Sequence, residues 1–308
     1  MKILILGYSN LSKRKIIPAL KKNFKNIEFE ICSISKSKKN IGAQKWFRNY
    51  KTALHQSNAD IVYISLQNSL HFYWAKKFLE NKYHVIIDKP ATLSFNEATK
   101  LVKIAKKNKK LLSEATVFNY HLQIKEVLKE IKNNDNLRFV CARFIIPKLP
   151  KKNFRNVIEY GGGCFNDMSP YAASLFRLFV NKKSIIKNIT STLTDKNKLN
   201  ISFSIFASYK KTDFSFYFSH DGNYQNELIF ITNEKIIKIY RVFSPPNDKK
   251  LNIFIHNKKH NKDIIKCVKK DDVFINYFSD FFKTLKNKKF KIFYQKLLTD
   301  SFFREKIK

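Results

Sequence analysis

Lys2-Ile3-Leu4-Ile5-Leu6-Gly7-Tyr8-Ser9-Asn10-Leu11-Ser12 is the stretch that decides the fold. After Lys2 the residues to Leu6 are all apolar with no polar alternation, the mark of a strand buried on both faces inside a helix-covered parallel sheet. Gly7 ends the run, and Ile16, Ile17 and Leu20 then recur at helical spacing across Lys13–Asn23. A buried strand, a tight turn and a helix make the opening half of a βαβ unit.

The same rhythm continues outward. Strands are predicted at Glu28–Ile34, Asp60–Ser65, His84–Asp88 and Leu111–Ala115, with helices at Leu70–Glu80 and Ser94–Asn108. Ser94 and Glu97, three apart, form a capping box at the last of these helices. After Tyr120 the pattern changes. A helix at Gln123–Lys132 leads to a strand at Arg138–Ile145, the glycine run Gly161–Gly163 and a helix over Phe165–Val180. Strands then follow one another at Ile185–Leu193, Leu199–Tyr209, Asp213–His220, Gln225–Thr232 and Lys235–Arg241, and helices at Asp272–Leu285 and Phe293–Arg304 end the chain. Consecutive strands joined by short turns pair antiparallel. The sequence therefore predicts a doubly wound parallel sheet of Rossmann type over residues 1–117 and an α+β domain on a mainly antiparallel open sheet over 118–308.

Composition narrows the function. The chain has 308 residues, 44% of them hydrophobic, enough for two cores. No apolar run approaches membrane-spanning length, and the short one at the start is followed by a basic stretch instead of a cleavage site, so a cytoplasmic protein is expected. A net charge of +36 invites a nucleic-acid reading. Its lysines are spread along the whole chain, however, and Lys, Asn, Ile and Phe are abundant together, as AT-rich coding produces. Neither a nucleic-acid nor a membrane partner is expected. The four cysteines lack metal or redox spacing, and no metal is expected. Cys164, at a helix start, reads as a small buried residue in preference to a nucleophile.

The Gly7–Ser12 turn stands where a dinucleotide fingerprint would, with Gly7 kept and small Ser9 and Ser12 in place of its other two glycines. Gly7, Ser9, Asn10 and Leu11 are the pyrophosphate candidates, because the following helix N-terminus offers free N–H groups. The second strand ends at Ser35 and Lys36, with no acid for a ribose 2′-hydroxyl. A hydroxyl and a cation suit a 2′-phosphate, so NADP(H) is preferred over NAD(H), which stays possible.

These features, with Asp88-Lys89-Pro90 and the glycine run followed by Asp167 and Tyr171, resemble the glucose–fructose oxidoreductase/inositol dehydrogenase/rhizopine-catabolism family along essentially the whole chain. The segments Asn223–Glu227 and Arg241–Pro246 resemble its nucleotide-sugar 3-ketoreductases. Gln67, where the family usually has proline, and the lost glycines depart from the pattern. Lys89 would polarise a substrate carbonyl, and Tyr171 would protonate the developing alkoxide. Asp167, one turn before Tyr171 on the same helix face, would orient a substrate hydroxyl or Lys89. The plainer alternatives are a loop lysine, core packing and helix capping.

The resemblance also places Asn68, His71 and Glu114 near the nicotinamide, and counts Asp88 and Lys89 among the cofactor-binding residues. For His71 a satisfied helix-start histidine, and for Glu114 a buried structural pair, are equal alternatives. Arg155 would meet a phosphate or the nicotinamide, or lie on the surface. The expected activity is NADP(H)-dependent reduction of a keto sugar, nucleotide-linked, in deoxysugar or surface-polysaccharide synthesis. The alternatives are a dehydrogenase of a free sugar, polyol or dihydrodiol, and a dinucleotide-binding regulator without turnover. Aromatic residues alternating along Leu199–Tyr209 and Asp213–His220 predict an open sheet face that pairs copies into a homodimer or homotetramer.

Overall fold

The computed structural model describes residues 1–24, 26–34, 42–132, 137–180, 187–196 and 198–308. The chain divides into two compact units: Met1–Thr116 with Tyr277–Phe302, and Val117–Asn276 with Phe303–Lys308. Each is therefore discontinuous in sequence, where a single cut after residue 117 was drawn.

In the first unit the strands are β1 (Lys2–Leu6), β2 (Glu28–Cys32), β3 (Trp46–Phe47), β4 (Ile61–Ile64), β5 (His84–Asp88) and β6 (Leu112–Ala115). They lie in the order β3-β2-β1-β4-β5-β6. Every neighbouring pair is parallel. The order reverses at β1, where doubly wound sheets bind ligands outside their carboxyl ends. A wide π-helical turn, Ser12–Ile16, opens the helix that continues as α1 (Ile17–Asn23). The helices α2 (Tyr50–Gln56), α3 (Asn68–Glu80) and α4 (Phe95–Lys107) follow. The reading of the sequence passed over β3 and α2, which are too short to show a period. Asn49 starts α2 by accepting Lys51 N–H at 2.8 Å. At α4, Ser94 Oγ accepts Glu97 N–H, as the capping box requires, while the Glu97 carboxylate takes Leu93 N–H. Leu4, Val62, Val85, Leu101 and Leu112 share a core with Tyr294 and Leu297, from α8 (Lys291–Lys306).

The second unit holds α5 (Leu122–Lys132), α6 (Cys164–Phe179) and eight strands: β7 (Leu137–Ile145), β8 (Lys187–Lys196), β9 (Leu199–Tyr209), β10 (Thr212–Ser219), β11 (Gln225–Thr232), β12 (Lys235–Tyr240), β13 (Leu251–Asn257) and β14 (Lys262–Val268). Their order is β14-β13-β12-β11-β7-β10-β9-β8. All described pairs are antiparallel except β7 with β10, which run parallel, so the sheet is mixed. The reading of the sequence stopped at β12. Strands β13 and β14 sit at the polar rim, where lysines and asparagines blur the period of two. On the inner face Phe203, Phe214, Phe216, Phe218 and Phe230 are buried with Phe165, Met168 and Phe176 of α6. The last helices, α7 (Val273–Lys286) and α8, start within two residues of their expected positions. Among the described residues no helix is long and apolar enough to cross a membrane.

One packed group makes the first unit sensitive to acid. His84 Nδ1 accepts the Leu111 N–H at 2.8 Å at the start of β5. Burial, with the charge of Lys110 adding to it, pushes the His84 imidazole down from 6.5 to about 4. The unfolded chain then takes up a proton that the folded one refuses, so stability is complete above 6.5 and is lost as pH falls towards 4. The ring is partly open to solvent, and its share should be only about 1–2 kcal/mol. Denaturant titrations at pH 7 and pH 4.5 should show this loss, and His84→Asn, which keeps an acceptor without the titration, should reduce it. An unchanged difference in the variant would show that His84 is not its source.

Candidate active site

At the carboxyl end of the first sheet the turn after β1 passes directly against the residue after β4. Gly7 has φ +101°, and a Cβ there would lie 2.2 Å from the Ser65 carbonyl oxygen. No side chain fits, so glycine is required here even though its two companions in the fingerprint are serines. Those serines turn inward. Ser9 Oγ accepts the Ser12 N–H at 3.0 Å, and Ser12, fully buried, donates its hydroxyl to the Ser9 carbonyl at 2.9 Å. Ser9 Oγ meets Ser65 Oγ at 2.7 Å, and Ser65 donates to Asp88 Oδ2 at 2.5 Å. Tyr63 donates to the other oxygen, Oδ1. A carboxylate only accepts, so Ser65 spends its proton on Asp88 and takes one from Ser9. Burial pushes the Asp88 carboxyl up, while the Ser65 and Tyr63 bonds and the charge of nearby Lys89 pull it back.

Lys89, half-buried, follows Asp88 directly, and the Lys89–Pro90 bond is cis. The segment is held from both sides. Pro90 carbonyl lies 2.8 Å from His71 Nδ1, whose Nε2 lies 3.1 Å from the Leu66 carbonyl. Glu114 Oε2 accepts the Ala91 N–H at 2.7 Å, and Glu114 Oε1 accepts from Thr116. The His71 ring is buried, and burial pushes its pKa down against the pull of the two carbonyls, Asp88 and Glu114. His71 and Glu114 thus brace the loop that carries Lys89. Asn68 is buried at the first position of α3.

The pyrophosphate candidates fit a dinucleotide. Asn10 and Leu11 are exposed where the helix begins, and its first N–H groups lack intrahelical acceptors. Lys13, Arg14 and Lys15 crowd that same positive end, a costly arrangement that an anionic group would relieve. Ser35 and Lys36 lie outside the described residues.

In the second unit α6 carries Asp167 and Tyr171. Cys164 is buried at its first turn, with Sγ 3.8 Å from Met168 Sδ. The helix start is capped from another strand, by Asn200 Oδ1 accepting the Phe165 N–H at 2.7 Å. Asp167, 6% exposed, is bound by Arg155 Nε at 2.9 Å and His220 Nε2 at 3.1 Å. Arg155 therefore meets this carboxylate, a partner that its loop position did not suggest. Tyr171 stands among the rings of Phe118, Phe144 and Phe243, at 5.7, 5.7 and 5.2 Å. Sequence reasoning missed His220, which lies 53 residues from Asp167 and has no periodic signal. It also missed Tyr63 and Ser65, whose alternate positions on a buried strand look like core. Among the described residues no three His, Cys, Asp or Glu side chains gather as a metal site.

Residues 1–116 match the oxidoreductase family with an NAD-binding Rossmann fold. The match falls on the stretch whose motifs resemble the glucose–fructose oxidoreductase/inositol dehydrogenase/rhizopine-catabolism family. Across 211 residues the chain is 26% identical to a dTDP-3,4-didehydro-2,6-dideoxy-alpha-D-glucose 3-reductase of Saccharopolyspora spinosa, covering 67% of this chain and 64% of that one. It is 24% identical over 201 residues to a D-xylose 1-dehydrogenase (NADP(+)) of Haloferax volcanii, covering 62% and 61%. The matched stretch thus spans less than two-thirds of either relative. A 3-ketoreductase from Actinomadura kijaniata, solved with NADP and TDP-benzene, has the same fold: TM-score 0.90, 20% identity, 98% of this chain and 94% of that chain covered.

The glycine run explains how Arg155 reaches Asp167. Gly162 and Gly163 donate to the Val157 and Arg155 carbonyls, and a Cβ on Gly162 would lie 2.5 Å from the Arg155 oxygen. Gly162→Ala should therefore cost about 1–3 kcal/mol, the scale of an overpacked site, measured by chemical denaturation. A variant as stable as the parent would show that the loop gives way freely.

Proposed function

We propose that the chain is a cytoplasmic NADP(H)-dependent reductase of a keto sugar linked to a nucleoside diphosphate. The observation that carries this reading is Asp167 and Tyr171 on one face of α6, in a chain whose Lys89 stands past a parallel strand beside a dinucleotide-type turn. NADPH, when bound, supplies the hydride. Ser9, Asn10 and Leu11 would hold its pyrophosphate against the helix start, with Gly7 keeping the turn tight. Lys89 polarises the ketone oxygen, and Tyr171 gives its phenolic proton to that oxygen as charge develops there. Asp167 accepts from a substrate hydroxyl and fixes the sugar's orientation. Asn68 lines the nicotinamide end, and Ser35 and Lys36 favour the 2′-phosphate. The relatives that reduce dTDP-linked keto sugars support the substrate class, and the xylose dehydrogenase relative supports a free sugar as the second reading.

Turnover of a dTDP-linked 3-keto sugar with NADPH, faster than with NADH, is the expected result. Tyr171→Phe should lower it by about 100-fold or more with cofactor affinity unchanged, and Lys89→Met should do at least as much damage. The two losses should not add, since both act on one oxygen. Turnover on free xylose alone would favour the second reading. Dinucleotide binding without turnover of any sugar would make the chain a regulator.

We further propose that the outer face of the second sheet pairs two copies. Phe206, Ser215, Cys141, Ile229, Lys238, Phe254 and Ile265 are register neighbours across seven strands. Phe206 is 58% exposed and Ile265 64%. Arg143 pairs with Glu227 on this face at 3.2 Å, and Asp263 meets His256 at 2.8 Å. A chain of net charge +36 repels its copy least at such a face. Sedimentation at micromolar concentration should give a dimer or a tetramer, and Phe206→Lys should weaken it. A monomer at those concentrations would contradict the pairing.

A further inference from the structure

Asp167 is held by a cation and by an imidazole nitrogen that reach it from opposite directions along the chain. Arg155 comes from the short helical turn Phe154–Asn156, before the glycine run, and its guanidinium pairs with the carboxylate, Nε lying 2.9 Å from Oδ1. His220 follows β10 and presents Nε2 to Oδ2 at 3.1 Å. An ionised carboxylate accepts only, so His220 carries its proton on Nε2.

The histidine is itself pinned. Its backbone N–H donates to the Ile201 carbonyl at 2.9 Å, and it is 6% exposed. On the next peptide Ser219 Oγ accepts the Asp221 N–H at 3.0 Å. An ion pair attracts the carboxylate without fixing its rotation about the Cβ–Cγ bond. A hydrogen bond to the other oxygen does fix it, and the imidazole supplies that bond from a side chain with only two rotatable bonds.

We infer that His220 is a positioning residue for the reaction: together with Arg155 it locks the Asp167 carboxylate in the one orientation from which it can align a substrate hydroxyl. The inference rests on the proposed ketoreductase reading. It assigns His220 no contact with substrate or cofactor and no proton transfer. Misplacing a group that orients substrate slows the chemical step far more than it weakens cofactor binding.

The test compares His220→Gln, whose amide nitrogen can replace the Nε2–H, with His220→Phe, which keeps a ring and loses the donor. Once the parent's turnover with NADPH and a dTDP-linked keto sugar is measured, His220→Phe should lower kcat by about 10- to 100-fold. Its KM for NADPH should stay within about twofold, and His220→Gln should recover most of the loss, as positioning through one hydrogen bond requires. Parental kcat in His220→Phe would overturn the inference while leaving the ketoreductase reading intact. An equal loss in both variants, with melting temperatures unchanged, would also overturn it, since the donor would then not be what matters. If His220→Phe does not fold, the rate of His220→Gln decides: near-parental turnover supports the inference, and a 10-fold or greater loss overturns it. If the parent turns over no sugar, the ketoreductase reading fails by itself. Histidine ¹⁵N spectra then decide the lock: an Nε2–H signal that shifts in Asp167→Asn supports it, and one that does not move overturns it.

Discussion

The Asp88 carboxylate, taken out of water at the end of β5, is the constraint around which the ligand end of the first unit is arranged. A buried carboxylate is costly unless donors surround it, and here both oxygens have one, from Tyr63 and Ser65. Because Ser65 must give its proton to Asp88, it can only accept from Ser9, which accepts in turn from the Ser12 amide. The polarity of one buried group thus propagates through three hydroxyl-bearing residues to the turn after β1. It also explains how serines serve at two glycine positions of the fingerprint. Their side chains point into this network, and the exposed face of the turn stays backbone.

Lys89 inherits its place from the same arrangement. Its neighbour Asp88 is fixed from one side, and the two residues after it are fixed by His71 on the Pro90 carbonyl and Glu114 on the Ala91 amide. The resemblance put His71 and Glu114 beside the nicotinamide, with structural roles as equal alternatives. Their hydrogen bonds within the protein give the structural alternative its physical content. Bracing a loop and lining a ligand are compatible tasks for Glu114, whose two oxygens accept once each from Ala91 and Thr116. They are less so for His71, since both ring nitrogens already face carbonyl oxygens.

Much of this was legible in the sequence, and the limits have physical causes. Strands β1, β5, β9 and β11 have the bounds that the sequence pattern predicts, because each carries an unbroken apolar run or a clear alternation. Strand β2 ends at Cys32, short of Ile34, since hydrophobicity marks burial and Ile34 is 65% exposed. The parallel pairing of β7 with β10 was invisible, as strand direction depends on which chain segments become neighbours. Lys89, Asp167 and Tyr171 could be named as candidates because motifs carry them. His220 was not, because its meaning comes only from the strand register that brings it to Asp167.

The two units solve the same electrostatic problem with different materials. In the first, Asp88 is satisfied by neutral hydroxyls, which cost little to desolvate but offset its charge only in part, and burial still raises its pKa. In the second, Asp167 has a guanidinium, whose charge balances its own, and an imidazole N–H. The difference suits the positions of the two groups. Asp88 faces inward and has only to hold a turn and a loop together, and hydroxyls do that without placing a cation in the core. Asp167 is proposed to meet substrate, a task that needs its carboxylate oriented while other groups compete for it. A charged partner favours the carboxylate form, and the imidazole from a distant part of the chain fixes its orientation. In both places a lone acid would be a liability, and the fold makes it useful by bringing its donors from residues far apart in sequence.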